Sequence, residues 1–537
     1  MRRLSIVLAA LAALAWAATA SAAGWNTTVF VTNQVASSPA KGGGYPVPAG
    51  ATAPDPGTCR LGDYNSNRSE SWIAVQPNSE NLVGASKFFF ENFSTFYDFH
   101  LGSYAIPGGV PAGNNQVQGY ECTTVGTQDM PPSWMNNTDP NADFDTQGRV
   151  YQTTLPFNPW WVNQLHPDGE IDLSYSDDLG RHWVKGNLGR PLEPTNHASS
   201  KQAGHVEDKQ WVAVNHIKGN RFQDHVYAMW TVYNGQTAKI RGAVSRTRGI
   251  TFDKSFTLSA PSQTGNYNEY VYPSIDAAGN VFVAYHGGDG KLWVTYSSDD
   301  GQTWAPFVLA ATAQLLPAAA LPNTTFRDGI LESFAASPTW PGHVYLTYEQ
   351  WDGQQMDVRL TQSTDYGRHW SPPTTVNDNA DATDQFQPSV AAGPNGAVAV
   401  AFYDRRQACP TDASILPAER GRTNFCIDTS LQAYKDNGAG AVRVGSNVRI
   451  SQHTWDPQQP GQTVGGLPQL ACASHEVPCR LSFIGDYFGL AISDHNVYGL
   501  FVSTHYPSSV VTADDGGAVY YQEQVLATVP RSAFGAY

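Results

Sequence analysis

The sequence predicts an all-β protein, a β-propeller of six or seven four-stranded antiparallel blades, and three observations lead to this prediction. An eight-residue turn motif recurs along the chain, pairs of apolar strands joined by glycine-containing turns recur between its copies, and no segment carries a strong helix signal. Strand units that repeat every few tens of residues are typical of propellers. The length of 537 residues exceeds that of one ordinary core and also favours a repeat architecture.

The N-terminal segment has the composition of a secretion signal. Arg2 and Arg3 precede an apolar run, Leu4–Ala18, which is followed by the small residues Ala20–Ala22. We expect export from the cell and the following segments: a signal peptide over 1–22, an N-terminal extension over 23–68, and the propeller over 69–537 with loop insertions near 155–172 and 407–425. No later apolar run reaches the length of a membrane span, so none is predicted.

Cysteine usage agrees with an exported protein. An even number of cysteines in such a chain favours disulfides, and the sequence contains six: Cys59, Cys122, Cys409, Cys426, Cys472 and Cys479. Closeness in sequence suggests the pairs Cys409–Cys426 and Cys472–Cys479, which leaves Cys59–Cys122, although six cysteines allow fifteen pairings. Zinc binding is the competing interpretation, but the spacings differ from the paired short gaps of zinc sites.

The charge of the chain bears on its partners. The formal net charge is −15 and no basic run is present, so neither nucleic acid nor an anionic membrane surface is an expected partner. Aromatic residues make up 12% of the chain, and Gly and Pro are abundant. This composition suits a strand-and-turn protein that handles sugars, and we expect a monomer with a glycan or polysaccharide as its partner.

The turn motif follows the pattern S-x-D-x-G-x-T-W. Its four copies begin at Ser176, Ser245, Ser297 and Ser363; the first and last have His in the Thr position, and the second lacks the Asp. Ser and Asp side chains accept hydrogen bonds from the backbone of their own turn, Gly permits the turn conformation, and the terminal aromatic residue packs inward. We therefore interpret these motifs as structural turns and not as catalytic sites.

Pairs of apolar strands alternate with these turns. Two clear examples are Pro273–Tyr285 and Pro388–Tyr403, in which a Gly turn separates two apolar runs. Weaker copies begin near the following residues: Trp72, Asn141, Trp211, Ser333 and Gly489. Two successive hairpins give one four-stranded blade, and the number of hairpin units gives six or seven blades.

The turn motif resembles the Asp-box, or BNR, repeat of the sialidase superfamily of propellers, over roughly residues 70–505. The resemblance implies a secreted, exo-α-sialidase-like protein with its box turns on the face away from the substrate. In sialidases an arginine cluster holds the substrate carboxylate, a tyrosine assisted by a glutamate attacks, and an aspartic acid is the acid/base. The early Phe/Tyr-Arg-Ile-Pro motif that supplies the first of these arginines is absent, and Arg68 lies near the first unit without that context.

Acidic residues stand just before the first strand of most units. Glu269, Asp328 and Asp384 each stand five residues before the matching serine of their unit, Ser274, Ser333 and Ser389. In three other units the acid stands closer to the strand: Asp139, Asp208 and Asp486. If these loops open on one face, up to six carboxylates surround one channel mouth, where like charges raise some pKa values. The alternative is that each acid caps its own strand. The predicted catalytic residues are Asp208, Glu269, Asp384, Asp486 and Tyr487.

The loop after the second strand of each unit is predicted to open on the same face. The adjacent arginines of Tyr403-Asp404-Arg405-Arg406 follow a buried strand, so they need an anion, either the acidic ring or a substrate carboxylate. The predicted substrate-binding residues are Arg327, Arg405, Arg406, His286, Glu349 and Asp404.

Three functions fit these residues. The first is a glycan-active enzyme, an exo-acting glycoside hydrolase on a terminal sugar that is acidic in the sialidase-like case. The second is a non-catalytic propeller that binds glycan or protein. The third is a polysaccharide lyase, for which His286 or Tyr403 is the candidate base.

Neither a metal nor another cofactor is required by these predictions. Calcium is the one metal that the sequence leaves open, because Asp378–Asp384 is rich in oxygen ligands. The spacing in this segment is not that of an EF-hand loop, and a solvated turn explains it equally well.

Overall fold

A computed structural model describes residues 24–37, 67–89, 99–116, 136–158, 168–194, 205–318, 332–407, 426–469 and 483–535, together with 320–322, 324, 326–329, 409, 471 and 537. Within these residues, no helix has the length and apolar character needed to cross a membrane. The predicted signal peptide and four of the six cysteines, Cys59, Cys122, Cys472 and Cys479, lie outside them. The remaining two, Cys409 and Cys426, form a disulfide, which confirms that predicted pair.

The described chain is built almost entirely of antiparallel strands. The first half contains β1 Thr32–Val35, β2 Arg68–Val75, β3 Leu82–Phe89, β4 Phe99–Ile106, β5 Asn114–Gln116, β6 Asn136–Thr138, β7 Asp143–Phe144, β8 Val150–Asn158, β9 Asp168–Gly169, β10 Asp172–Ser176, β11 Val184–Lys185, β12 His205–Val214, β13 Val226–Asn234, β14 Thr237–Ser245 and β15 Phe256–Thr257.

The second half continues the same pattern. It contains β16 Asn268–Ile275, β17 Val281–Gly287, β18 Lys291–Ser297, β19 Val308–Thr312, β20 Glu332–Ala336, β21 Val344–Trp351, β22 Met356–Ser363, β23 Thr374–Thr375, β24 Gln385–Ala392, β25 Ala397–Asp404, β26 Asp428–Asp436, β27 Ala441–Arg449, β28 Thr463–Val464, β29 Leu467–Pro468, β30 Gly489–Ile492, β31 Asn496–Ser503, β32 Pro507–Thr512, β33 Ala518–Tyr520 and β34 Glu523–Pro530. The described helical segments are one short helix, α1 Pro261–Thr264, and 3-10 turns at Pro107–Gly109, Asn187–Gly189, Pro394–Gly396 and Arg531–Phe534.

The strands form six four-stranded sheets and one six-stranded sheet. Five sheets take consecutive strands, β2–β5, β12–β15, β16–β19, β20–β23 and β24–β27, and β6–β11 form the six-stranded sheet. The last sheet has the order β1-β34-β31-β30, and β28-β29 and β32-β33 are two-stranded ribbons. The prediction of an all-β protein with four-stranded antiparallel sheets is confirmed.

The sheets follow one another in a closed, propeller-like ring. One strand of each sheet packs against one strand of the next, in the series β2, β7, β12, β16, β20, β24 and β30, and β30 returns to β2. β1 pairs with β34, so the N-terminal strand completes the last sheet. Part of the predicted N-terminal extension therefore belongs to the ring itself. Similarly, part of the insertion predicted near 155–172 is strand, because β8 runs to Asn158 and pairs with β9.

Apolar side chains between the sheets form the core. β17 and β25 are buried along their whole length, as expected for second strands that have a sheet on each side. The first strands line a central channel of about 450 Å³. At one end of the channel the rings of Trp72, Trp211, Tyr272 and Tyr487 pack together, with the centroids of Trp72 and Trp211 4.6 Å apart. The other end opens at the turns that follow the first strands.

The repeated turn motifs have the hydrogen bonds expected of structural turns. In the copy that begins at Ser297, the Ser297 hydroxyl accepts a bond from the Gly301 N–H at 2.9 Å and Asp299 accepts one from the Thr303 N–H at 2.8 Å. The copies at Ser176 and Ser363 repeat both bonds. In their Thr position, His182 and His369 contact the Asp carboxylate through Nδ1 at 2.5 Å.

The ends of the sheets are distinguished by these turns. Ser297 and Ser363 pair with the first residues of the second strands, Val281 and Val344, in their sheets. His286 and Glu349 lie near the opposite ends of those second strands. The turn motifs therefore lie at the opposite end of the sheets from the predicted functional residues.

Candidate functional site

Four of the first strands carry a β-bulge at the same place, beside the aromatic end of the channel. The pairing register shifts after Ser69, Asp208, Glu269 and Phe386. The residue that follows each shift has a positive φ: Glu70 (50°), Lys209 (46°), Tyr270 (56°) and Gln387 (46°). Such a conformation in a residue other than glycine costs of order 1–3 kcal/mol and is concentrated at functional sites.

Lys209 is the centre of a buried network of charges. Its Nζ lies 2.9 Å from Asp486 Oδ2, 3.6 Å from Asp139 Oδ2 and 3.7 Å from Glu70 Oε1. Lys87 lies 2.8 Å from the second oxygen of Glu70. Burial lowers the pKa of Lys209, but the surrounding carboxylates outweigh burial and raise this pKa well above its usual value. Lys209 therefore remains charged.

Asp486 is held by two cations. Arg327 contacts it with two nitrogens, one of them Nε at 2.9 Å from Oδ1, and Lys209 contacts Oδ2. Burial opposes ionisation of Asp486, but Arg327 and Lys209 outweigh burial and keep its pKa well below the usual range. Asp486 is thus an anion that neutralises Arg327 and Lys209 beside the aromatic end of the channel.

Asp208 and Asp139 both accept a hydrogen bond from the Lys209 N–H, at 2.8 Å and 3.2 Å, and their pKa values shift in opposite directions. Burial and the neighbouring charge of Asp139 raise the pKa of Asp208 well above its ordinary value. Burial also opposes ionisation of Asp139, but Lys209 and Lys87 lower its pKa. The proton therefore resides on Asp208, whose side chain is half-buried and reaches the surface.

Glu269 has the opposite electrostatic environment. Its carboxylate accepts hydrogen bonds from the Tyr233 hydroxyl and from His286 Nε2, the latter at 3.2 Å. Burial opposes ionisation, but the bonds from His286 and Tyr233 lower the pKa of Glu269. Glu269 is half-buried and ionised. It lies on β16, and the protonated Asp208 lies on β12, the first strand of the preceding sheet.

His286 supports Glu269 from behind. Its Nδ1 lies 2.7 Å from Glu332 Oε2, and its ring packs on Tyr270 with the centroids 4.7 Å apart. Burial lowers the pKa of His286, but Glu332 and Glu269 outweigh it and raise the pKa to about 9. At neutral pH the imidazole is therefore a buried cation between two glutamates.

A second carboxyl pair, Asp328 and Glu349, lies beside Gln387, whose N–H and Nε2 donate to Glu349 and Asp328. Burial raises the pKa of Asp328 to about 7, and burial with the charge of Asp328 raises that of Glu349 well above its usual value. The backbone N–H of Gln387 donates to Glu349 Oε1 at 2.5 Å. Both side chains are buried, and burial favours their protonated forms.

The remaining predicted arginines pair with acids of the same face. Arg405 Nη1 lies 2.6 Å from Asp384 Oδ2, and Arg406 contacts Asp404 and Asp378 at 2.8 Å each. These pairs match the alternative in which the acidic residues themselves supply the anion. Arg327, the third predicted arginine, pairs with Asp486.

The oxygen-rich segment 378–384 is held together by its own hydrogen bonds. Asp378 accepts a bond from the Asn447 N–H at 2.8 Å besides its contact with Arg406, and Asp381 accepts one from Thr383 at 2.9 Å. Within the described ranges, no group of three or more His, Cys, Asp and Glu side chains is arranged to hold a metal ion. These contacts favour the solvated-turn interpretation over calcium.

Tyr487 belongs to the aromatic end of the channel. Its ring packs on Trp211 with centroids 5.0 Å apart, and its hydroxyl donates to the Pro140 carbonyl at 3.0 Å. Burial, with the charges of Glu70 and Asp139 near it, raises its pKa well above the usual value. A buried, protonated hydroxyl that is already bonded is not placed as a nucleophile.

The structure thus brings most of the predicted residues to one face and adds others. The residues that sequence reasoning missed are Glu70, Lys87, Lys209, Tyr270, Glu332 and Gln387. One sequence signal was available, because Glu70, Lys209 and Tyr270 each stand two residues before a channel aromatic: Trp72, Trp211 and Tyr272.

Sequence comparisons find no relative of this chain, since no family profile and no curated protein matches it. Solved structures match over most of the chain. A Hadza microbial sialidase has a TM-score of 0.43 and 14% identity and covers 63% of each chain. An ulvan lyase of family PL25 has a TM-score of 0.43 and 9% identity, covering 86% of this chain and 94% of that one. A Penicillium chrysogenum α-L-arabinanase has a TM-score of 0.37 and 12% identity, covering 74% and 95%.

The chain spans 63% of the length of the Hadza sialidase.

Proposed function

We propose that the chain is a glycoside hydrolase that acts on a neutral terminal sugar, with Asp208 as the general acid and Glu269 as the ionised carboxylate. The observation that carries this proposal is the opposite titration of two half-buried carboxyl groups on neighbouring first strands. Two carboxyl groups with separated pKa values are the basis of acid/base division in glycosidases.

In the proposed reaction, Asp208 donates its proton to the glycosidic oxygen as the bond to the anomeric carbon breaks. Glu269 stabilises the positive charge that develops at that carbon, by direct attack or by activating a water. Asp139 and Lys209 keep the proton on Asp208, because Lys209 favours the ionised form of Asp139. His286 and Tyr233 keep Glu269 ionised and oriented.

The charged residues of the candidate site favour a neutral sugar as the substrate. Among the described residues of this face, Lys87, Lys209, Arg327, Arg405 and Arg406 all contact a carboxylate. A sugar carboxylate would have to displace Asp486 from Arg327 and Lys209, and it would enter a region that already holds an excess of acids. These ion pairs therefore favour a neutral sugar over the anionic sugar that a sialidase binds.

The lyase alternative is also less well supported. A lyase base must accept a proton, and His286 is held as a cation between Glu269 and Glu332. Tyr403 is fully buried, and its hydroxyl oxygen accepts a hydrogen bond from the Val502 N–H at 3.2 Å.

The architecture belongs to the same proposal. We propose that the seven sheets are the blades of a sialidase-like propeller, that the four turn motifs are its Asp-boxes, and that the protein is a monomer exported through a signal peptide at residues 1–22. The closed series of sheet contacts and the shared turn hydrogen bonds support the assignment of the blades and of the Asp-boxes.

The test is hydrolysis of a glycan panel with sialyl, uronyl and neutral exo-linked sugars by the wild type, Asp208→Asn and Asp299→Asn. We expect release of a neutral sugar by the wild type, a loss of about 100-fold or more in Asp208→Asn with little change in Tm, and full activity in Asp299→Asn, which lies in a turn motif on the other face. Release of no sugar by the wild type contradicts the proposal and favours a binding protein. Full activity of Asp208→Asn contradicts the assignment of the acid.

A further inference from the structure

Tyr267 is an exposed aromatic residue beside Glu269. Its side chain is 37% exposed, although the ring has fixed neighbours. The ring of Tyr233 lies 5.9 Å away between centroids, and a Cβ at Gly288 would lie 3.0 Å from Tyr267 Cδ1, so the ring rests directly on the Gly288 backbone. Tyr267 lies two residues before Glu269 in the chain, and burial and the charge of Glu269 raise the pKa of its hydroxyl.

The backbone of this segment is equally well held. The Asn266 carbonyl accepts a hydrogen bond from the Ala238 N–H at 2.9 Å, and the Tyr267 carbonyl accepts one from the Gly288 N–H at 3.3 Å. Tyr267 is thereby attached to two neighbouring sheets, through β14 and through the turn after β17. A ring that is fixed on one side and open on the other loses little conformational entropy when a ligand stacks on it.

The surroundings match the chemistry of an uncharged sugar. The C–H face of a sugar ring is apolar and its edges carry hydroxyl groups, so it needs an aromatic surface with hydrogen-bond acceptors at the rim. Tyr267 and Tyr233 supply the surface, and the carboxylate of Glu269 is an acceptor. The ionised Glu269 makes the area unfavourable for an anionic sugar.

We propose that Tyr267, supported by Tyr233, is a stacking platform for a neutral sugar ring next to the glycosidic bond that is cleaved. This inference rests on the proposed function, because it places the sugar beside Glu269. It assigns Tyr267 to substrate binding and gives it no part in proton transfer. Substrates that carry a sugar unit on the platform are bound more tightly than those that lack it.

The first measurement is binding without turnover. Saturation-transfer difference NMR is recorded on Asp208→Asn with five neutral probes: maltotriose, cellotriose, mannotriose, galactotriose and arabinotriose. We expect at least one probe to bind, to bind about tenfold more weakly when Tyr267→Ala is added, and to bind normally when Tyr267→Phe is added. Phe30→Ala, which removes a side chain that is 70% exposed elsewhere on the chain, is the matched control and leaves binding unchanged.

The outcomes separate the platform from the proposed activity. Binding that survives Tyr267→Ala, or binding of none of the five probes, overturns the platform even if the wild type hydrolyses glycans. Binding that depends on Tyr267, in a wild type that hydrolyses no glycan of the panel, overturns the proposed hydrolase and retains the sugar site. Tyr267→Phe guards against misfolding, because it keeps the ring in place.

Discussion

At the scale of single residues, His286 determines how Glu269 titrates. The two side chains are 3.2 Å apart, and the imidazole is charged because its pKa is raised to about 9. Removing this charge removes a cause of the low pKa of Glu269. We therefore predict that His286→Gln shifts the acid limb of the kcat/KM profile to higher pH, because more of Glu269 is then protonated at a given acid pH.

The profile is measured on a substrate found in the glycan panel, with His225→Gln as the control. His225 contacts Asp300 at 2.9 Å next to a turn motif, so its replacement leaves the limb in place. An unchanged acid limb in His286→Gln contradicts the proposed effect of His286 on the pKa of Glu269.

The charge of His286 also affects stability. Since the folded-state pKa of His286 is raised from 6.5, its contribution to stability is full below about pH 6.5 and is lost as the pH rises through about 9. The difference in Tm between wild type and His286→Gln should shrink over that window.

At the residue scale, the sequence reveals candidate residues whose place follows from their position along the chain, and it does not reveal those whose place depends on strand register. Asp208, Glu269 and His286 were predicted because acids near the start of a unit and polar residues after its second apolar run are visible in the sequence; the structure places them inside the ends of β12, β16 and β17. Glu70, Lys209 and Gln387 were missed because a β-bulge turns each of them out of the alternating pattern. Glu332 was missed because its role depends on a contact with His286 from the neighbouring sheet.

At the scale of elements, the turn motif was predictable because its hydrogen bonds are local. Even the copy without Asp keeps the geometry, since the Thr247 hydroxyl accepts the bond from the Thr251 N–H at 2.8 Å that Asp299 accepts from Thr303. We predict that Asp299→Ala lowers the free energy of unfolding by about 1 kcal/mol and leaves activity unchanged. Asp299→Thr introduces the residue that occupies the equivalent position, Thr247, in the copy without Asp, and it should recover most of this loss in the free energy of unfolding.

Urea unfolding of the two variants provides the measurement. Equal losses in Asp299→Ala and Asp299→Thr would show that Thr cannot replace Asp in this turn. A loss of glycan hydrolysis in either variant, with folding intact, would place the motif near the substrate and contradict the separation of the two faces.

At the scale of the whole molecule, pairing of the N-terminal strand with the last sheet closes the ring. β1 pairs with β34 from Thr32↔Thr528 to Val35↔Val525, so the N-terminal strand is the outermost strand of the last sheet. The same segment is anchored on the sixth sheet, where Trp25 Nε1 donates to Ser430 Oγ at 2.6 Å and its ring lies over Arg406 and Arg449. Residues 24–37 therefore join two neighbouring sheets.

The sequence did not reveal this closure, since β1 has only four residues and its partner lies almost 500 positions further along the chain. Because a ring of sheets is stabilised only when every sheet has both neighbours, loss of β1 should affect the whole fold. We predict that deletion of residues 24–37 lowers Tm by more than about 5 °C and broadens the transition, whereas Phe30→Ala in the same segment leaves Tm nearly unchanged. Calorimetry on the wild type and both variants checks this, and an unchanged, sharp transition in the deletion variant would mean that the other sheets close the ring without β1.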